Sequence, residues 1–180
     1  MTGPRGTRAP VSLGPMPTGL AMVTTDELVV RATPREMFDV VREVSRWPEW
    51  LPHYRFVRTR DEDGEGGGVV EMAANRPFGP LSWPTWWLSD MQVVTPRPAI
   101  RFRHTGGITT GMDVEWSFTS NPTGGTLVRV LHVWNGPNWP MIGRFAAVAV
   151  IGPVFIHGIA SRTLAGLARV AEETRGHDDR

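Results

Sequence analysis

Arg46-Trp47-Pro48-Glu49-Trp50-Leu51-Pro52 is the stretch on which the fold turns. Two tryptophans three residues apart, held between Pro48 and Pro52, are large apolar bodies that must be buried against something. The preceding Ala32-Thr33-Pro34-Arg35-Glu36 has the marks of a helix start. Thr33 suits the cap, Pro34 the first helical position, and Glu36 completes a capping box. Phe38, Val41, Val44 and Ser45 continue at helical spacing. Pro48 is expected to stop that helix, because the residue before a proline is driven out of the α region. The pattern predicts a short second helix set in a V against the first, then a strand starting near Tyr54.

Working outward, Leu28, Val30 and Ala32 alternate with Glu27, Val29 and Arg31, which suits a first strand. Further strands are expected at 54–60, 69–74, 82–94, 99–104, 112–119 and 126–134. The acidic, glycine-rich 61–68 reads as a solvated hairpin, since no helix follows it as a phosphate loop would require. A long helix is expected over 141–174, kinked at Gly152-Pro153. In its second half Ala160, Thr163, Leu164, Leu167, Val170 and Ala171 share one side, and Arg162, Arg169 and Glu173 the other. In its first half Val148, Ile151, Phe155 and Ile159 stand where the later arginines stand. That stripe is expected either to lie under loops or to make a homodimer or membrane contact. The sum is an α+β helix-grip: seven antiparallel strands curled around one long C-terminal helix, with two short helices.

Composition narrows the function classes. At 180 residues the chain fits one domain with a substantial core. Its formal net charge of +1 points to no nucleic acid or acidic partner. The absence of cysteine excludes disulfides, thiolate nucleophiles and zinc-thiolate sites. Residues 1–21, rich in Gly, Pro, Thr and Arg, lack the apolar core of a signal peptide and are expected as a disordered tail. Met22 is then an alternative start, 22–175 the ligand-binding domain, and 176–180 a second tail. The apolar run 145–160 is short of the roughly 20 residues of a membrane span, so a cytoplasmic protein is expected. His53, His104, His132, His157 and His177 show no metal-ligand spacing, and no nucleotide, flavin or haem signature occurs. No metal and no cofactor are expected.

From about residue 24 to 173 the chain resembles the START/Bet v 1-like (SRPBCC) superfamily, most closely its polyketide cyclase/aromatase and lipid-transport branch. The matching pieces are Ala32–Val41, Trp47–Pro52, Gly111–Phe118, Gly124–Val128 and Ile159–Leu164, in that order. The resemblance implies a cavity between sheet and long helix, holding a polyketide whose aldol condensation and dehydration are steered by its walls. A carrier of a quinone, isoprenoid or other lipid would use the same cavity without chemistry. A ligand-binding interior of this kind needs roughly 300 Å³ or more.

The resemblance puts Tyr54 on the cyclases' catalytic tyrosine and Trp47 at the cavity mouth. A phenol there can donate to a carbonyl oxygen as negative charge develops. His157, on the flank of the long helix, is the second catalytic candidate, as base, with His104 beside it. Where the cyclases carry an arginine on the fourth strand this chain has Met91. Thr110 stands for a family glutamine, and Ile156, His157 or Gly158 for an asparagine. Strand alternation and helix facing assign Trp47, Trp83, Trp87, Met91, Phe102, His104, Met112, Trp116 and Val154 to the cavity wall. Trp83 and Trp87 face one way and Trp86 the other. Arg101 and Arg103 point outward, where Asp90 and Asp113 can pair with them as surface pairs contributing about 0–1 kcal/mol.

Overall fold

The computed structural model describes residues 9–78, 81–95, 97–136 and 156–178. Helix α1 (Pro34–Arg42) opens with the expected capping box. Thr33 Oγ1 accepts from the Glu36 N–H at 3.2 Å, and the Glu36 carboxylate accepts from the Thr33 N–H at 2.6 Å. Met37, Phe38 and Val41 form its buried face. Pro48 does not end this helix. α1 finishes at Arg42, a 3₁₀ turn (Val44–Arg46) follows, and Pro48 lies in the first turn of α2 (Trp47–Trp50). There its missing N–H is no loss, because the first helical amides have no partner within the helix.

Seven antiparallel strands make one sheet in the order β1-β7-β6-β5-β4-β3-β2. They are β1 (Met22–Val30), β2 (Tyr54–Glu62), β3 (Gly68–Phe78), β4 (Leu81–Val94), β5 (Ala99–Gly107), β6 (Asp113–Ser120) and β7 (Thr126–Trp134). β1 starts earlier than its alternation suggests, because it pairs with β7 along its whole length, from Met22 opposite Trp134 to Val30 opposite Thr126. Helix α3 (His157–Asp178) packs against β1, α1, α2 and β3. Its C-terminal half is tied to the β1–α1 connection, where Glu172 accepts from the Arg31 N–H at 2.9 Å and Arg175 donates to the Arg31 carbonyl. The helical positions expected at 141–155, with the Gly152-Pro153 kink, lie outside the described residues. No described helix is long and apolar enough to cross a membrane.

Residues 9–21 are not the disordered tail their composition suggests. They run as a strap along the outer face of the sheet. The Val11 N–H donates to Asp63 at 3.0 Å and the Leu13 N–H to Gln92 at 3.2 Å. Arg103 donates to the Leu13 carbonyl at 3.2 Å, and Arg101 to the Gly14 carbonyl and to Met16 Sδ. Leu13 is buried. The outward arginines supply the hydrogen bonds that a Gly/Pro-rich segment cannot make to itself. The strap also changes what Asp113 does. This carboxylate is 5% exposed and faces Arg103 at 2.8 Å and Arg101 at 4.0 Å, so it belongs to a buried charge cluster rather than a surface pair.

Asp63 holds the β2–β3 hairpin from inside. Burial pushes its carboxyl upward, but N–H donation from Val11, Glu65 and Gly67 outweighs this and holds it below the usual range.

Candidate active site

A bulge decides where Tyr54 points. Tyr54 pairs with Ala74, but Phe56 pairs with Ala73, so one extra residue stands in β2 between them. Strict alternation would put Tyr54 and Phe56 on the same face. With the bulge, Tyr54 and Val57 are buried, while Phe56 is half-buried under the Arg58 guanidinium at 4.3 Å. Bulges commonly re-aim side chains beside sites of function.

The Trp-Pro motif builds one wall of the interior. Trp47 is buried, and its indole N–H donates to the Val41 carbonyl at 3.2 Å, locking α2 onto α1. Its ring meets Tyr54, Trp116 and Phe102 at centroid distances of 5.4, 5.9 and 6.5 Å. Aromatic pairs of this kind add about 0.5–1.5 kcal/mol each beyond their buried area. Tyr54 meets Trp87 at 6.1 Å, and Trp87 stacks on His104 at 6.1 Å with 22° between planes.

These side chains surround a cavity between the sheet and α3. Trp47, Tyr54, Trp87, Phe102, His104, Met112 and Trp116 line it, as alternation predicts. Trp86 is on the other face, 43% exposed, with its indole N–H donating to Glu71 at 2.7 Å. Met91 does not line the cavity. It is fully buried at the far end of β4, opposite Gly68 and Phe102, against an outer groove beside the β2–β3 hairpin. Its cross-strand neighbour Phe102 takes the place on the wall. The side chains of Trp83 and His157, and all of Val154, lie outside the described residues, as do Val148, Ile151 and Phe155 of the apolar stripe. Ile159, expected on that stripe, instead faces the cavity. Thr110 is exposed in the turn after β5, where its hydroxyl donates to the Gly107 carbonyl at 2.6 Å.

Several wall residues were not singled out by the sequence. Met72, Val114, Val130 and Ala160 extend the apolar lining, beside Ile156 at the place of the family's asparagine, and Thr109, His132 and Thr163 add polar groups. The buried alternation Val128, Val130, His132 on β7 would have found His132. Nδ1 of His104 and the Thr109 hydroxyl are 2.7 Å apart. His53 Nε2 lies 3.1 Å from Thr163 Oγ1, and that hydroxyl lies 3.4 Å from the Tyr54 oxygen. Burial, helped by the nearby Arg162 charge, holds the His53 imidazole below its ordinary value. The interior thus carries more polar chemistry than Met91 and Thr110 alone would suggest. Among the described residues no three His, Asp or Glu gather as metal ligands do.

The cavity measures about 70 Å³, taken as the space open to the centre of a water molecule. That is room for a few waters, well below the roughly 300 Å³ a ligand-binding interior needs, so the open interior expected from the sequence is not found among the described residues. Met72 and Met112, unbranched and adaptable, are the wall residues best suited to move aside.

Residues 30–152 match the family described as polyketide cyclase / dehydrase and lipid transport. Over 106 residues the chain is 30% identical to the granaticin polyketide synthase bifunctional cyclase/dehydratase of Streptomyces virginiae. That match takes in 54% of this chain and 31% of the relative, so the chain spans under a third of the relative's length. The fold is similar to that of the Zhui aromatase/cyclase from Streptomyces sp. R1128, with a TM-score of 0.69 at 17% identity over 84% of this chain and 93% of the other. It is also similar to StfQ, the di-domain aromatase/cyclase of the steffimycin biosynthetic pathway, with a TM-score of 0.62 at 18% identity over 86% of this chain and 51% of the other. Likeness at such identities carries the fold alone, whereas the family match covers most of the chain: this protein belongs to the polyketide cyclase/dehydrase and lipid-transport family.

Proposed function

We propose that the chain binds a hydrophobic, polyketide-type molecule in this interior and steers its aldol cyclisation and dehydration. The observation that carries the reading is the Tyr54 hydroxyl on an aromatic cavity wall in a chain of this family. Tyr54 is the acid, donating to a ligand carbonyl as its oxygen gains negative charge. His104, whose ring Thr109 holds, is the base, with His157 as the alternative. Entry of the ligand widens the cavity. A homodimer or transient membrane contact through Val148, Ile151 and Phe155, without Ile159, belongs to the same reading.

The test offers a linear poly-β-ketone to the wild type and to Tyr54→Phe. Cyclised product lighter by one water from the wild type, with Tyr54→Phe binding but not converting, supports catalysis. Binding by both with conversion by neither supports the second reading, a lipid or quinone carrier, which the mainly apolar lining favours. No binding of any hydrophobic ligand overturns both.

A further inference from the structure

His53 in the turn before β2, Thr163 on α3 and Tyr54 at the start of β2 form a line of three hydrogen-bonding groups. Nε2 of His53 and Oγ1 of Thr163 are 3.1 Å apart, and Thr163 Oγ1 and the Tyr54 oxygen 3.4 Å. Thr163 is buried and has a single hydroxyl hydrogen, so it can donate to only one of its two neighbours. If Nε2 carries a hydrogen, His53 donates to Thr163 and Thr163 donates to Tyr54. The phenol then keeps its own hydrogen for a partner other than Thr163. If Nε2 is bare, Thr163 donates to His53, and the bond between Tyr54 and Thr163 uses the phenol hydrogen instead.

We propose that His53 is a positioning residue for Tyr54, setting through Thr163 whether the phenol hydrogen is committed to Thr163 or turned to another partner. Protonated His53 has hydrogens on both ring nitrogens and permits only the state in which Thr163 donates to Tyr54. Neutral His53 mixes the two. The groups set against it are the Arg162 guanidinium on α3 and the Tyr54 ring on β2, 4.9 Å away between centroids. Both the positive charge and the burial disfavour the imidazolium, so the change falls below the ordinary histidine range. The value of this device to catalysis rests on the reading of Tyr54 as the acid.

Tyr54 is the single tyrosine of the chain, which makes the test direct. Protein carrying tyrosine labelled at Cζ gives one Tyr54 resonance, followed with the His53 ring signals as pH is lowered. In the wild type the Tyr54 signal should move with the same midpoint as His53. In Thr163→Val, His53 should still titrate while the Tyr54 signal loses most of its response. Thr163→Ser should restore it. A Tyr54 signal that stays flat while His53 titrates overturns the proposal. So does a Thr163→Val variant with the wild-type response, because ring proximity alone would then explain the coupling. No ligand is needed, so this outcome is separate from whether the protein cyclises anything.

Discussion

Leu51 fills the space that a side chain on Gly166 would need: a β-carbon there would collide with Leu51 Cδ2. The last residue of the Trp-Pro-Glu-Trp-Leu motif thus presses directly onto the backbone of α3, and both sides are fixed, since Leu51 is buried at 2% exposure. Gly166→Ala should destabilise. Overpacking costs about 1–3 kcal/mol, against about 1 kcal/mol gained in helix propensity. Gly158, with nothing near its β position among the described residues, should show only the gain on the same substitution. Thermal unfolding of both variants checks the contrast; equal shifts would mean that α3 is not held against Leu51.

Acid should weaken the fold through His53. Its folded value lies below the ordinary 6.5, so between the two values the unfolded chain binds more protons. Stability is then complete above about pH 6.5 and falls as pH drops through that window. Urea midpoints of the wild type and His53→Gln across pH 5 to 8, roughly the histidine range, should show a shallower slope in the variant.

Removing residues 1–21 should cost about 1–3 kcal/mol, from the exposure of Leu13 and the lost bonds to Arg101, Arg103 and Asp63. Asp113→Ala should cost about 1–3 kcal/mol, because Arg103, 38% exposed, can turn to water and Arg101 keeps Glu115 at 3.5 Å, so what is lost is charge-assisted hydrogen bonding rather than the whole of a buried pair. Arg169→Ala, at an exposed pair with Glu173, should cost about 0–1 kcal/mol. Denaturant unfolding measures the three.

Met112→Ala should cost about 2–5 kcal/mol and tighten binding of an apolar fluorescent probe, since the methionine occupies cavity space. Unchanged probe affinity would show that some other group limits entry.

What the sequence made legible was local. The capping box, the alternation that turns Trp87 inward and Trp86 outward, and the inward Phe102 and His104 all follow from nearest-neighbour geometry. The bulge after Tyr54 has no residue signature, so Tyr54's partners could not be read. His53 and Thr163 are over a hundred residues apart, and no local pattern joins them. The strap's composition signals disorder because its stabilising partners, Arg101 and Arg103, lie on a distant strand. Pro48 misled because proline suits a helix start as well as a stop.

The sheet order has a kinetic consequence. From β2 to β7 every neighbour follows its predecessor in sequence, so those strands can assemble by successive short closures. β1 alone must find a partner across the whole domain, with Met22 meeting Trp134. Long closures add entropy cost and slow folding. A chain caught before that closure presents the unpaired edge of β7, a template for another molecule's strand. Refolding yield should therefore fall as protein concentration rises, and the β1 amides, with the β7 amides that bond to β1, should be the last to gain protection from hydrogen exchange.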